Sequence, residues 1–114
     1  AAYLCGRLFA VLEKVQQDSA SGELNKTIKD SYFASACATP AVVFARLVQL
    51  SQNHLAKLEK GMQIYYNKLL GEIIGDLEEF PKALSLEEQG KFILGYYQQN
   101  AALYTKKENQ SEGK

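Results

Sequence analysis

Residues 39–60, TPAVVFARLVQLSQNHLAKLEK, decide the fold class. Thr39 is a good N-cap type, and Pro40 suits the first helical position, where a missing N–H costs nothing. Gly61 follows as a C′ stop. At 100° per residue, Phe44, Leu47, Val48, Leu55 and Leu58 fall on one side. Arg46, Gln49, Asn53, Lys57 and Lys60 form a narrow stripe on the other, and Glu59 points away from it. Three cations, two amides and no acid make that stripe a candidate for touching phosphates. The plain alternative is a solvated face, which most polar helix faces are.

The pattern continues on both sides. Residues 2–18 repeat Leu4, Leu8, Val11 and Val15 at helical spacing, with Leu12 widening the face and Tyr3, Arg7 and Lys14 opposite. DSASGE, residues 18–23, reads as a polar turn. A second helix is expected over about 24–38, with Ile28, Tyr32 or Phe33, and Ala36 or Cys37 inward. Lys26 and Lys29 lie near its start, where the helix dipole disfavours cations. They are candidates for an anion contact, or ordinary surface lysines.

Downstream of Gly61, a fourth helix is expected over about 62–79, with Met62, Tyr66, Leu69, Ile73 and Leu77 at core spacing. Ile64, Tyr65 and Ile74 lie off that stripe, so this helix is either central or forms an interface. Gly71 and Gly75 each cost up to ~1 kcal/mol against Ala in a helix, so close helix contact is their expected use. Phe80-Pro81 is expected to end the helix. Ser85 and Glu88 have capping-box spacing and start a fifth helix to about Leu103, with Phe92, Ile93, Tyr96, Tyr97 and Leu103 inward. The reading is all-α: a single bundle of about five helices over residues 1–104, and a flexible tail over 105–114.

A length of 114 residues fits one domain, and 46% apolar content supports a real core. With 13 basic and 13 acidic residues the chain has no net charge, which argues against a free-standing nucleic-acid binder. The charge is uneven: residues 1–70 hold eight Lys/Arg against five Asp/Glu, and 71–114 hold five against eight. One face can therefore meet phosphate and another a protein partner. Cys5 and Cys37 form no CxxC pair and read as reduced cytosolic thiols. No signal peptide or membrane span is visible, so a cytoplasmic location is expected. A start at Ala1, within a helical pattern, fits a processed chain or a piece of a longer one.

Catalytic chemistry is not indicated. His54 is the one histidine, and the pairs Glu78-Glu79 and Glu87-Glu88 diverge on a helix. No P-loop, dinucleotide turn or HExxH occurs, and no metal or cofactor is expected. Tyr65-Tyr66 and Tyr96-Tyr97 invite a base-stacking reading, but in each pair one ring falls on the core stripe and the other suits the bundle rim.

Three phrases carry a resemblance. AYLCGRLFAVLEKVQ (2–16), NKTIKDSYFASACATPAVVFARLVQLSQNHLAKL (25–58) and SLEEQGKFILGYYQQNAALYTKK (85–107) resemble the C-terminal segment of the large subunit of type I-C CRISPR Cascade. The resemblance covers nearly the whole chain. It implies an all-helical domain that also occurs as the separate Cascade small subunit, made by internal translation. Such subunits line the complex beside the crRNA–target DNA heteroduplex and help hold the R-loop and the displaced non-target strand. The implied partners are the large subunit, the backbone subunits, further copies of the small subunit, and nucleic acid. The site assignment rests on helix geometry: Arg46, Gln49, Asn53, Lys57 and Lys60, with Lys26, Lys29, Arg7 and Lys14 in support. The alternative is an architectural bundle that contacts proteins alone.

Overall fold

Gly6 and Gly95 place the central helix. The computed structural model describes residues 1–20 and 26–112, with side chains described through Thr105. Its helices are α1 (Ala2–Ser19), α2 (Ile28–Ala38), α3 (Pro40–Leu55), α4 (Lys60–Asp76) and α5 (Leu86–Glu112), and no strand occurs among the described residues. α1 packs against all four others, most extensively against α5. It buries Cys5, Leu8, Phe9, Ala10, Val11, Leu12 and Val15. The organising helix is therefore the first and not the third. Small Gly, Ala and Cys side chains let neighbours approach α1 from several directions, and they dilute the one-sided apolar pattern that marks a surface helix.

Phe9 is the hub of the core. Its ring meets those of Phe33, Phe44, Phe92 and Tyr96 edge-on, with centroids 5.4, 6.3, 6.1 and 5.9 Å away. Phe33 comes from α2, Phe44 from α3, and Phe92 and Tyr96 from α5, so one aromatic cluster ties α1, α2, α3 and α5 together.

Two polar networks brace α1. The Glu13 carboxylate is buried, and it accepts from the Tyr96 hydroxyl and, at 2.7 Å, from the Thr27 hydroxyl. Asp18 accepts from the Tyr66 hydroxyl of α4 and pairs with Lys14 at 3.0 Å. No buried side-chain nitrogen or oxygen is left without a partner among the described residues, as a helical interior requires.

Helix boundaries differ from the sequence pattern in physically instructive ways. α3 ends at Leu55, and residues 56–58 form a turn closed by Lys57 N–H to His54 carbonyl (3.1 Å) and Leu58 N–H to Leu55 carbonyl (3.0 Å). The tighter turn keeps Leu58 buried, and Gln63 Nε2 donates to its carbonyl at 2.7 Å. Gly61 thus lies inside α4 and is not a helix stop. Thr39 makes no side-chain cap for α3; its hydroxyl donates to the Ser35 carbonyl at 3.1 Å, at the end of α2. Pro40 does hold the first helical position. α4 ends at Asp76, short of Phe80-Pro81, because the buried Leu77 takes an extended conformation. The 77–85 connection then docks on the α2–α3 junction, with Ala41 N–H bonded to the Pro81 carbonyl (2.9 Å) and Leu84 N–H to the Ala38 carbonyl (3.0 Å). Ser85 and Glu88 form the reciprocal capping box at 3.2 and 2.9 Å. The expected start of the second helix at Leu24 lies outside the described residues.

The inward face of α5 is rotated from the expected one. Phe92, Gly95, Tyr96, Gln99 and Leu103 face the core, while Ile93 is 41% exposed and Tyr97 52%. Leu69 on α4 is half-buried, and Tyr66, Leu70 and Ile73 are the buried set.

Candidate nucleic-acid interface

α3 turns Phe44, Leu47, Ser51 and Leu55 inward, which leaves Arg46, Gln49 and Asn53 exposed on its outer side. Arg46 is oriented: its Nε donates to the Tyr32 hydroxyl of α2 at 3.1 Å. That bond raises the guanidinium pKa further above its ordinary value, so the charge is permanent. Val42 is exposed one turn before Arg46.

Lys57 and Lys60 are exposed too, but they do not continue the α3 stripe. Lys57 stands in the 56–58 turn, and Lys60 is the first residue of α4. Between them Glu59 is the N-cap residue of α4, exposed and without a side-chain cap bond. The expected acid-free line of five residues is therefore two pieces: Arg46, Gln49 and Asn53 on a helix, and a corner of Lys57 and Lys60 with one carboxylate nearby. The apolar periodicity runs through the break because Leu55 and Leu58 are both inward, which is why the sequence pattern hid it. His54 beside this corner has its pKa lowered by partial burial and by Lys57, and so favours the neutral imidazole.

The supporting cations divide. Lys26 is exposed. Lys29 is half-buried, its ammonium donating to the Tyr97 hydroxyl at 3.0 Å. The N-terminus of α2 is not open to an anion, because side chains of α1 and of its own first turn fill it. Gln16 accepts from Ile28 N–H at 2.7 Å, Thr27 from Lys29 N–H at 3.1 Å, and Asp30 from Thr27 N–H at 2.9 Å. Arg7 is half-buried, and its Nε donates to Gln99 at 2.8 Å.

Lys14 is 5% exposed and sits in the interior, paired with Asp18 and 4.8 Å from the Tyr104 ring centroid. The outward side assigned to it in the sequence is covered by α4 and α5. Lys68, on the outer side of α4, is an exposed cation that the sequence reading passed over. It lies eight residues after Lys60, about 80° further round the helix.

Residues 1–104 match the family model of the CRISPR-associated protein Cas_Csd1. The chain belongs to the Cas_Csd1 family. That makes it a Cascade-type CRISPR component. No curated protein matches the chain. The matched range covers α1 to α4 of this Cas_Csd1 domain and ends within α5. No helix among its described residues is long and apolar enough to cross a membrane.

Chemically, the outer side of α3 and the start of α4 offer a guanidinium, two ammonium groups and two amides, all able to donate to phosphate oxygens. Residues 31–58 contain no Asp or Glu. Neither cysteine is a poised nucleophile: burial pushes the Cys5 thiol up to about 11, and it raises Cys37 as well.

Proposed function

We propose that this Cas_Csd1 domain acts as the non-catalytic small subunit of a type I-C Cascade complex. It holds nucleic-acid backbone and stabilises the R-loop and the displaced non-target strand. The observation that carries the reading is the exposed set Arg46, Gln49, Asn53, Lys57 and Lys60, on a segment almost free of carboxylates, in a family tied to CRISPR defence. The groups supply charge and amides without a groove-reading motif, so they fit backbone contact, and base pairing to the guide reads sequence.

The partners in this reading are the large subunit, the backbone subunits, further copies of the domain, the crRNA–target heteroduplex and the non-target strand. Zero net charge keeps the isolated domain a weak binder. Tethering in the complex raises the effective concentration of each contact.

An architectural subunit without nucleic-acid contact is the second reading, favoured by the exposed apolar groups Leu86, Ile93 and Leu94 on α5. An electrophoretic shift with single-stranded DNA, run on the domain alone and on the reconstituted complex with and without it, separates the two. The first reading expects weak binding alone and a clear loss of R-loop retention when the domain is omitted from the complex. Unchanged retention in an otherwise intact complex gives the architectural reading.

A further inference from the structure

Lys29 and Tyr97 stand apart from the α3–α4 groups and form a built arrangement of their own. The Lys29 ammonium lies 4.9, 5.0 and 5.4 Å from the ring centroids of Tyr97, Tyr96 and Phe33, and 3.0 Å from the Tyr97 hydroxyl. Cation–π attraction and the hydroxyl fix the position of this cation. Among the described residues it pairs with no carboxylate, since Lys14–Asp18 is the one ion pair there. Beside it the Tyr97 ring is half-exposed, braced by an edge-on contact with Tyr96 at 4.9 Å.

Seven residues on, Tyr104 supplies an internal comparison. It too carries a lysine against its ring, but that lysine is Lys14, already paired with Asp18. At Tyr97 the lysine against the exposed ring has no ion-pair partner among the described residues. Exposed Ile93 and Leu94 flank it on α5.

We propose that Lys29 and Tyr97 form a one-nucleotide subsite for single-stranded nucleic acid, in which a base stacks on the Tyr97 ring and its phosphate meets Lys29. The inference rests on the nucleic-acid reading above and adds a base contact to it. A duplex keeps its bases stacked inside and cannot use the ring, so the subsite selects the displaced strand over paired DNA.

The test is fluorescence anisotropy of the intact chain at low salt, with single-stranded oligothymidylate, an abasic strand of equal length and a duplex as probes. Tyr97→Leu should weaken oligothymidylate binding at least about 5-fold, the low end for one stacked base, and leave the abasic strand unchanged. Tyr97→Phe keeps the ring and loses only the hydroxyl that holds Lys29, so it should retain most of the oligothymidylate affinity that Tyr97→Leu loses, which also controls for folding. Lys29→Gln should weaken both single strands and lower the salt slope by about 0.7. Equal affinities for Tyr97→Leu and the parent overturn the subsite. If Arg46→Ala, Lys57→Ala and Lys60→Ala together weaken binding in that case, the backbone reading survives without it. No single-strand binding even at low salt overturns both. Loss of the Tyr97→Leu chain from the assembled complex, with oligothymidylate affinity intact, makes this face a protein contact and also overturns the subsite.

Discussion

The backbone carbonyl of Phe92 occupies the place where a Cβ on Gly6 would sit, and Tyr96 N would lie only 2.8 Å from that Cβ. The relation is reciprocal: a Cβ on Gly95 would strike the backbone of Tyr3. α1 and α5 therefore cross backbone to backbone at two glycines. That closeness brings Phe9 to Phe92 and Tyr96, and Tyr96 to Glu13. The obstructing atoms are main chain, so no rotamer change relieves them.

Gly6→Ala should accordingly destabilise the domain by about 1–3 kcal/mol or more, the range for overpacking a tight site. Gly71→Ala should do the opposite. A Cβ there meets nothing within 4 Å, so the gain is the ordinary helix advantage of up to about 1 kcal/mol. Urea unfolding of both variants checks the contrast, and a neutral Gly6→Ala would remove the crossing as described. The same open space means that Gly71 and Gly75 make no close helix contact among the described residues, contrary to the expected use of these residues.

Leu47 is buried on α3 and Ile93 is 41% exposed on α5. Leu47→Ala should cost about 2–5 kcal/mol, and Ile93→Ala no more than about 0.5 kcal/mol, as for most surface changes. Equal losses in thermal or urea melts would show that the α5 face is wrongly oriented.

The pattern of apolar residues made the helical class legible, and Ser85 with Glu88 marked the start of α5 to the residue. What it could not reveal were features set by contact. Phe92-Ile93 and Tyr96-Tyr97 are adjacent look-alikes, and the choice between them is made by Gly95 and Gln99, residues that carry no hydrophobic signal. The break after Leu55 was masked because Leu58 remains inward. Lys14 looked like a surface cation because its i+4 pairing with Asp18 is equally common on an exposed face, and Tyr104, which lies against it, is identified only by the fold. For the candidate interface, exposure of Arg46, Gln49 and Asn53 followed from helical phase alone, whereas Lys57 and Lys60 needed the turn.

Tyr66 and Tyr96 should govern alkaline stability. Burial raises both phenol pKa values well above the ordinary range, and the bonds to Asp18 and Glu13 raise them further, since a phenolate would face a carboxylate. In the unfolded chain tyrosine ionises near ~10. The folded pKa is the higher one, so the contribution is fully present below the unfolded value. It is lost as pH rises above that value toward the folded one. The domain should hold its stability to about pH 9–10 and lose it steeply above. Phenolate absorbance of these two residues should appear together with loss of helical circular dichroism. Ionisation of all seven tyrosines while the helix signal persists would refute the placement of both hydroxyls.

Arg46, Lys57 and Lys60 are expected to act through phosphate contact in the assembled complex. They do not form one line, so each contact is counted separately: Arg46 projects from α3 held by Tyr32, and Lys57 and Lys60 stand at the corner before α4. Each lost contact should lower the slope of log affinity against log salt by roughly 0.7–0.9, through counterion release. Replacing all three by Ala should weaken target retention at low salt and flatten its salt dependence by about two units if all three contacts are made. The melting temperature should barely move, because exposed charges contribute little to folding. Glu59→Gln gives the converse test: removing the carboxylate between the two lysines should tighten low-salt binding without touching a cation. The measurement is the salt slope of parent, triple variant and Glu59→Gln in complexes of verified composition. Identical slopes for parent and triple variant would show that these cations meet solvent or protein, leaving the architectural reading of the domain.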